Sequence, residues 1–340
     1  MLYNRARFKF KKTMLRPVPL FISLILLSLF SILLALSTGS QSLSLHQLFN
    51  SLFVDQHGLA HDIVWQLRIP RAYVAFISGG LLALAGALMQ VLLRNPLADP
   101  YILGVSGGAS VAVLIAMTLG LSSAWLSGSA FIGALLAMLL VFGLSRSNGW
   151  HPTRLLLTGV VVAAGWGALI NFILSLSAEK PLRSMLFWLM GDISHQALIP
   201  GSGLVLLLAL IASLIFARRL NILAQGELQA AALGLDVKPL RIALFVSASL
   251  LTAFAVIQVG SVGFIGLVVP HMLRLISGSD HRHLLPASAL LGGSLLLISD
   301  TLARSLFAPQ QLPVGVITAF IGVPWFLYLL NRQSTRQIAQ

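Results

Sequence analysis

No cysteine occurs among the 340 residues, which excludes disulfides and thiolate metal sites. Acid is scarce too, with nine Asp and Glu against 22 Lys and Arg. Of the acids only Asp300 lies within an apolar run, which leaves little for paired-carboxylate catalysis or a proton relay near a membrane midplane. Lysine is confined to Lys9, Lys11, Lys12, Lys180 and Lys238, and none stands in a G-x-x-x-x-G-K-[ST] loop. If ATP powers this protein, another subunit must hydrolyse it. No long polar domain, low-complexity tract or tandem repeat is present.

What the chain has is apolar length. Hydrophobic residues make up 57% and charged residues 9%, more apolar surface than a soluble domain of this size can hide. Runs of roughly spanning length recur near 18–36, 73–93, 104–121, 128–144, 155–176, 202–217, 242–259, 262–277, 284–302 and 314–330. Those at 128–144, 202–217 and 262–277 are short for a full crossing. The first run follows a basic segment but is longer than a signal-peptide core, so it is read as a retained helix. Glycines inside the runs, among them Gly79, Gly80, Gly86, Gly165, Gly167, Gly292 and Gly293, predict close helix packing.

The formal charge of +13 invites a nucleic-acid reading, but the cations form no face and instead flank apolar runs. With ten spans and an inside N-terminus, only Arg68, Arg71, Lys180, Arg183 and Arg304 fall outside, and every other Lys and Arg falls inside. The expected division is a basic cytoplasmic N-terminus at 1–17, one transmembrane domain at 18–332 and a cytoplasmic tail at 333–340.

Four segments interrupt this pattern. Asn221 to Arg241 is a mostly polar island, the longest inner connection. Read as a helix it places Glu227, Ala230, Ala231 and Gly234 on one face, shaped to let another protein's backbone come close. The alternative is a connector packed on its own domain. Arg68-Ile69-Pro70-Arg71 lies just outside the second span, either as rigidly spaced guanidinium groups for a partner's carboxylates or as an interfacial anchor. Arg94-Asn95-Pro96-Leu97-Ala98-Asp99-Pro100 closes the same helix as a stiff bend, a gate or a plain turn. Asp300 and Arg304 sit at i, i+4 and are expected to pair on one helix. Asp280, His281 and His283 lack a further ligand in view and are read as a solvated turn.

The RIPR segment at 68–71, then GGLLALAGALMQVLLRNPLADPYILGVSGGAS, FWLMGDIS (187–194), GELQAAALG (226–234), GSVGFIGLVVPHMLR (260–274) and LPVGVITAFIGVPWFLYLL (312–330) together resemble the FecCD-type permeases of binding-protein-dependent ABC importers. The likeness runs in order from about residue 62 to 332. It implies an all-α polytopic membrane protein of about ten transmembrane helices with the type II importer permease fold. It also implies a bacterial inner-membrane location, both termini cytoplasmic, and a role as transporter subunit rather than enzyme. The implied partners are two ATPase subunits, a second permease (an identical copy or a paralogue) and a periplasmic binding protein. The chain itself would bind no cofactor, and ATP and Mg would belong to the ATPase.

By the same resemblance Gly226, Glu227, Ala230, Ala231, Leu233 and Gly234 match the segment that couples to the ATPase, with Glu227 the polar contact. Arg68, Arg71 and Arg304 match arginines that pair with glutamates of the binding protein. Asn95 and Leu97 match a cytoplasmic gate, and Thr158 and Asn171 lie on the helix similar to the one lining the path. The expected cargo is a metal chelate, a ferric siderophore first and cobalamin or haem next. An ion-gradient-driven transporter is the remote alternative from another class.

Overall fold

The computed structural model describes residues 16–39, 43–54, 58–145, 152–193, 199 and 201–337, with side chains as far as 328. The basic cluster from Arg5 to Lys12, Arg146, Ser194 and the last three residues lie outside the described residues, as do the side chains of Arg332 and Arg336.

Among the described residues the chain is all helix and loop. In order the helices are α1 (Pro17–Ser37), α2 (Leu45–Phe53), α3 (Leu59–Leu92), α4 (Val105–Thr118), α5 (Ser123–Ser145), α6 (Pro152–Leu176) and α7 (Glu179–Leu189). There follow α8 (Ser202–Ile215), α9 (Ala217–Gln225), α10 (Glu227–Ala232), α11 (Val237–Val259), α12 (Ile265–Ser277), α13 (His281–Ser305) and α14 (Val314–Gln337). Each of the ten apolar runs carries a helix. Six helices are long and apolar enough to cross a membrane alone, α8 and α9 form a pair bent by 60°, and α4, α12 and the apolar part of α14 are shorter. The architecture is that of an all-α polytopic membrane protein.

Helix α3 is the hub. From Ala72 to Leu92 it is almost wholly buried and packs on α11, α12 and α13, while α1 and α14 lean on α13. Glycine explains the closeness: a Cβ on Gly79 would strike the Gly292 backbone in α13, and one on Gly86 would strike Gly266 in α12. Without a hydrophobic drive in lipid, such backbone approach and its dispersion contacts hold helices together. A second layer, α4 with α5, lies beside α11 and carries α6 on its edge. Between α1 and α13 the hydroxyls of Ser28 and Ser294 meet at 2.9 Å.

The second span begins earlier than expected. Residues 59–72, read as loop and flank, are helical, so Arg68 and Arg71 project from a continuous helix. Pro70 has no N–H to donate, and the stretch Ile63–Arg68 just before it widens to a π turn in which the Ile69 N–H reaches the Val64 carbonyl. Proline therefore reshapes this helix without ending it.

Candidate functional site: two charged clusters at opposite ends of the bundle

Roughly 30 Å of α3, at 1.5 Å per residue, separates two charged clusters. The first gathers at the start of α3. The carboxylate of Asp300, buried in α13, accepts from Arg71 Nε at 2.9 Å and Nη2 at 2.8 Å. Arg304 Nε, the partner expected from i, i+4 spacing, stands 3.9 Å away. Arg71 thus takes the close, bidentate position, because α3 brings its fork side-on to the carboxylate. Arg68 donates to the Leu36 carbonyl and Arg304 to that of Ala35. Carbonyls in the last turn of a helix lack intrahelical partners, so the two arginines cap α1. Both guanidinium groups close around Gly39, where an added Cβ would sit 3.1 Å from one and 3.3 Å from the other. Three cations surround one anion here. They are not the freely exposed forks expected from a loop: Arg71 and Arg304 keep 18% and 11% of their side-chain surface, and Arg68 is buried.

The second cluster gathers where α3 ends. Helix α10 is held between Gly226 (φ +133°) and Gly234 (φ +76°), and both glycines would have open space around an added Cβ. Their reason is backbone conformation rather than close approach. The face is also turned from the expected one. Ala230 is fully buried against the chain's own core, and the Glu227 carboxylate reaches Arg94 Nη2 at 3.0 Å and also contacts Arg241 Nη2. What α10 shows outward is Leu228, 89% exposed, and Leu233, 67% exposed, with Ala231, Ala232 and Gly234. The partner-facing carboxylate among small residues is therefore an inward carboxylate beneath an outward apolar knob.

Arg94 opens the turn that carries Asn95 and Leu97. It adopts φ +49°, uncommon for a residue with a Cβ and worth about 1–3 kcal/mol of local strain. The Leu97 N–H donates to Asn95 Oδ1 at 2.9 Å, and Asp99 Oδ1 accepts from Tyr101 N–H at 2.7 Å. Burial pushes the Asp99 carboxyl up to about 6, opposed by the Tyr101 N–H. Beyond it Pro100–Leu103 makes a 3-10 turn whose Ile102 carbonyl lies directly on Gly159 of α6. Gln90 ties the end of α3 to α12 through Arg274 and the Leu267 carbonyl. A cleft of about 520 Å³ opens beside this turn, lined by Gln90, Arg94, Asn221, Arg274, Asp280 and His281.

On α6, Thr158 is half-buried beside that turn and Asn171 is exposed near the other end. Only Leu155 and Gly159 of this helix are buried, and an added Cβ on Gly165 or Gly167 would meet nothing, so these two do not serve intrachain packing. His281 is buried and paired with Asn221 rather than solvated, and among the described residues no group of His and acidic side chains is arranged to hold a metal ion. Sequence reasoning missed the bonds joining Glu227 to Arg94 and Arg241, and Asp300 to Arg71. Only the scarcity of acid signals that each carboxylate must serve several cations.

Residues 26–332 match the FecCD transport family. The chain belongs to that family. The FecCD chain is 38% identical over 312 residues to the hemin transport system permease protein of Yersinia pestis, covering 88% of this chain and 91% of that one. With the cobalamin import system permease protein of Halobacterium salinarum it shares 41% over 287 residues, 82% of this chain and 76% of the relative. Among solved structures, an inward-facing ABC transporter described as of metal-chelate type superposes with a TM-score of 0.83 at 31% identity, over 93% of this chain and all of that one. The molecule is thus an ABC importer permease of the FecCD family, with the all-helical fold that its residues predict.

Proposed function

We propose that this chain is the membrane path of a binding-protein-dependent importer, carrying a metal chelate into the cytoplasm by ATP-driven alternating access in a bacterial inner membrane. The observation that carries the reading is the outward face of α10. A six-residue helix displaying Leu228 and Leu233 at the end of an ABC permease is an apolar knob that needs a covering surface, and the ATPase supplies one. Membership of the FecCD family supports the direction of transport and the cargo class. The α10 end is then cytoplasmic, with both termini, and the Arg71–Asp300 end faces the binding protein. Asn95 and Leu97 stand at the inner gate, and Thr158 and Asn171 on the path-lining helix, whose exposed face also offers a surface for a second permease. Arg68, Arg71 and Arg304 supply a net positive, partly covered docking point for acidic groups of the binding protein.

Ferric siderophore, haem and cobalamin share one chemistry, a metal inside a large chelate. Relatives named for hemin and cobalamin set those two beside the siderophore. Co-purification tests the reading: a tagged chain solubilised gently should bring an ATPase subunit in equal amount, and Leu228→Glu with Leu233→Glu should release it. The cognate binding protein is then offered each chelate, and retention of one names the cargo. An ATPase that never accompanies the chain, even after crosslinking, would leave gradient-driven uptake as the mechanism to measure.

A further inference from the structure

The geometry points to Glu227 as a positioning residue, a strut that carries the movement of α10 into the turn at Arg94–Leu97. This rests on α10 being the ATPase-facing helix, and goes beyond it by naming the bond that transmits the motion.

Helix α10 has little hold on its own chain. Ala230 packs inward, Glu227 reaches inward, and the other side chains of the helix point out. A partner that grips Leu228 and Leu233 therefore moves the rest of the chain through the flanking backbone and, among the side chains of the helix, through Glu227. One oxygen of that carboxylate, Oε1, meets both Arg241 and Arg94. The two cations differ. Arg241 is the fifth residue of α11 with 7% of its side chain exposed, fixed by packing, whereas Arg94 is 41% exposed and borders the 520 Å³ cleft, so it has room to swing. Arg94 is also the residue that closes α3: it takes the left-handed conformation common just past a helix end, with its N–H on the Val91 carbonyl and the Asn95 N–H on the Gln90 carbonyl.

A pull on Arg94 through Glu227 therefore acts on the closed end of α3, and the next residues are Asn95 and Leu97. From there the 3-10 turn meets α6 without a gap, Ile102 against Gly159 and Gly104 against Trp166. A bond at α10 is thus continuous with a helix on the proposed path through one short turn.

The test separates transport from hydrolysis in the reconstituted importer, with wild type, Glu227→Gln, Arg94→Gln, Arg94→Lys and the charge swap Arg94→Glu with Glu227→Arg. In Glu227→Gln and Arg94→Gln the ATPase should still co-purify in equal amount and still turn over, while chelate moved per ATP falls about tenfold, within the usual range for coupling substitutions. Arg94→Lys should restore most of the loss, since a single donor suffices for this contact; the charge swap should restore part. Unchanged transport per ATP in both glutamine variants overturns the strut. Loss of the ATPase from Glu227→Gln also overturns it, making Glu227 an attachment residue. If no ATPase accompanies even the wild type, the underlying reading of α10 fails first, and that result is visible before any variant is compared.

Discussion

The two ends of the molecule solve one electrostatic problem with different mechanical results. Each has a single carboxylate among arginines: Asp300 with Arg71 and Arg304, and Glu227 with Arg94 and Arg241. Asp300 sits deep between two long helices already locked by glycine contacts, and the surrounding arginines also close the end of α1. Glu227 sits on six residues between two glycine hinges, with 29% of its side chain exposed. The first arrangement can only hold; the second can hold or let go. Local packing, rather than the ion pair, makes that difference.

Asp300→Ala should break the contrast most severely. Removing one member of a buried pair strands charge in a low-dielectric site, and we expect a loss of about 3–5 kcal/mol, seen as a large fall in thermal stability in detergent. Asp300→Asn, which keeps one acceptor oxygen for Arg71 while its NH2 opposes the second donor, should lose somewhat less. A loss near zero for Asp300→Ala would mean water or another group reaches the site. Next in size is Arg68→Ala, which frees the Leu36 carbonyl and should cost about 1.5–3 kcal/mol for a charged hydrogen bond, read as earlier proteolysis near residue 39. Glu227→Gln removes a half-exposed ion pair, so it should shift the thermal midpoint by less than about 1 kcal/mol equivalent while altering transport. If it destabilises as much as Asp300→Ala does, the inner cluster is a clamp like the outer one.

The smallest effect concerns pH. Asp99 has a carboxyl raised to about 6 from an ordinary 3.8, so its charged form is disfavoured in the folded turn. The penalty is complete above the raised value, shrinks as pH falls below it, and disappears only below the ordinary value of 3.8, where the acid is neutral in both folded and unfolded chains. Asp99→Asn, which can still cap the Tyr101 N–H, should therefore stabilise the protein at pH 7.5 and hardly below the ordinary carboxyl value of 3.8, with an intermediate gain at pH 5. Stability at pH 7.5 and at the most acid pH the protein tolerates is the comparison to make. Equal gains at both values would trace the effect to shape rather than charge.

Much of this was legible in the residues. The ten apolar runs each became a helix because spanning length and hydropathy leave the backbone few alternatives. The first turns of the second span were hidden: the apolar run starts at 73 and Arg68 to Arg71 read as lying just outside it, yet a π turn accommodates the proline and tertiary partners take up the arginines. The outward face of α10 was read from spacing alone, which gives the residues that share a side but not where that side points. Arg94 and Arg241 set the direction, and the link to Arg94, far away in sequence, is made by the fold. Asp300 shows the same limit, since its spacing predicted Arg304 while the nearer cation arrives from α3.

The contact between α1 and α13 also has a meaning in time. Ser28 and Ser294 stand 266 positions apart, and the carbonyls at Ala35 and Leu36 are closed by arginines from α3 and α13. A ribosome delivers α1 first and α13 nearly last, so the opening helix waits in the lipid until almost the whole chain has been made. Until then Ser28 keeps only its bond to the Leu24 carbonyl within α1, and the Ala35 carbonyl at the helix end waits for Arg304.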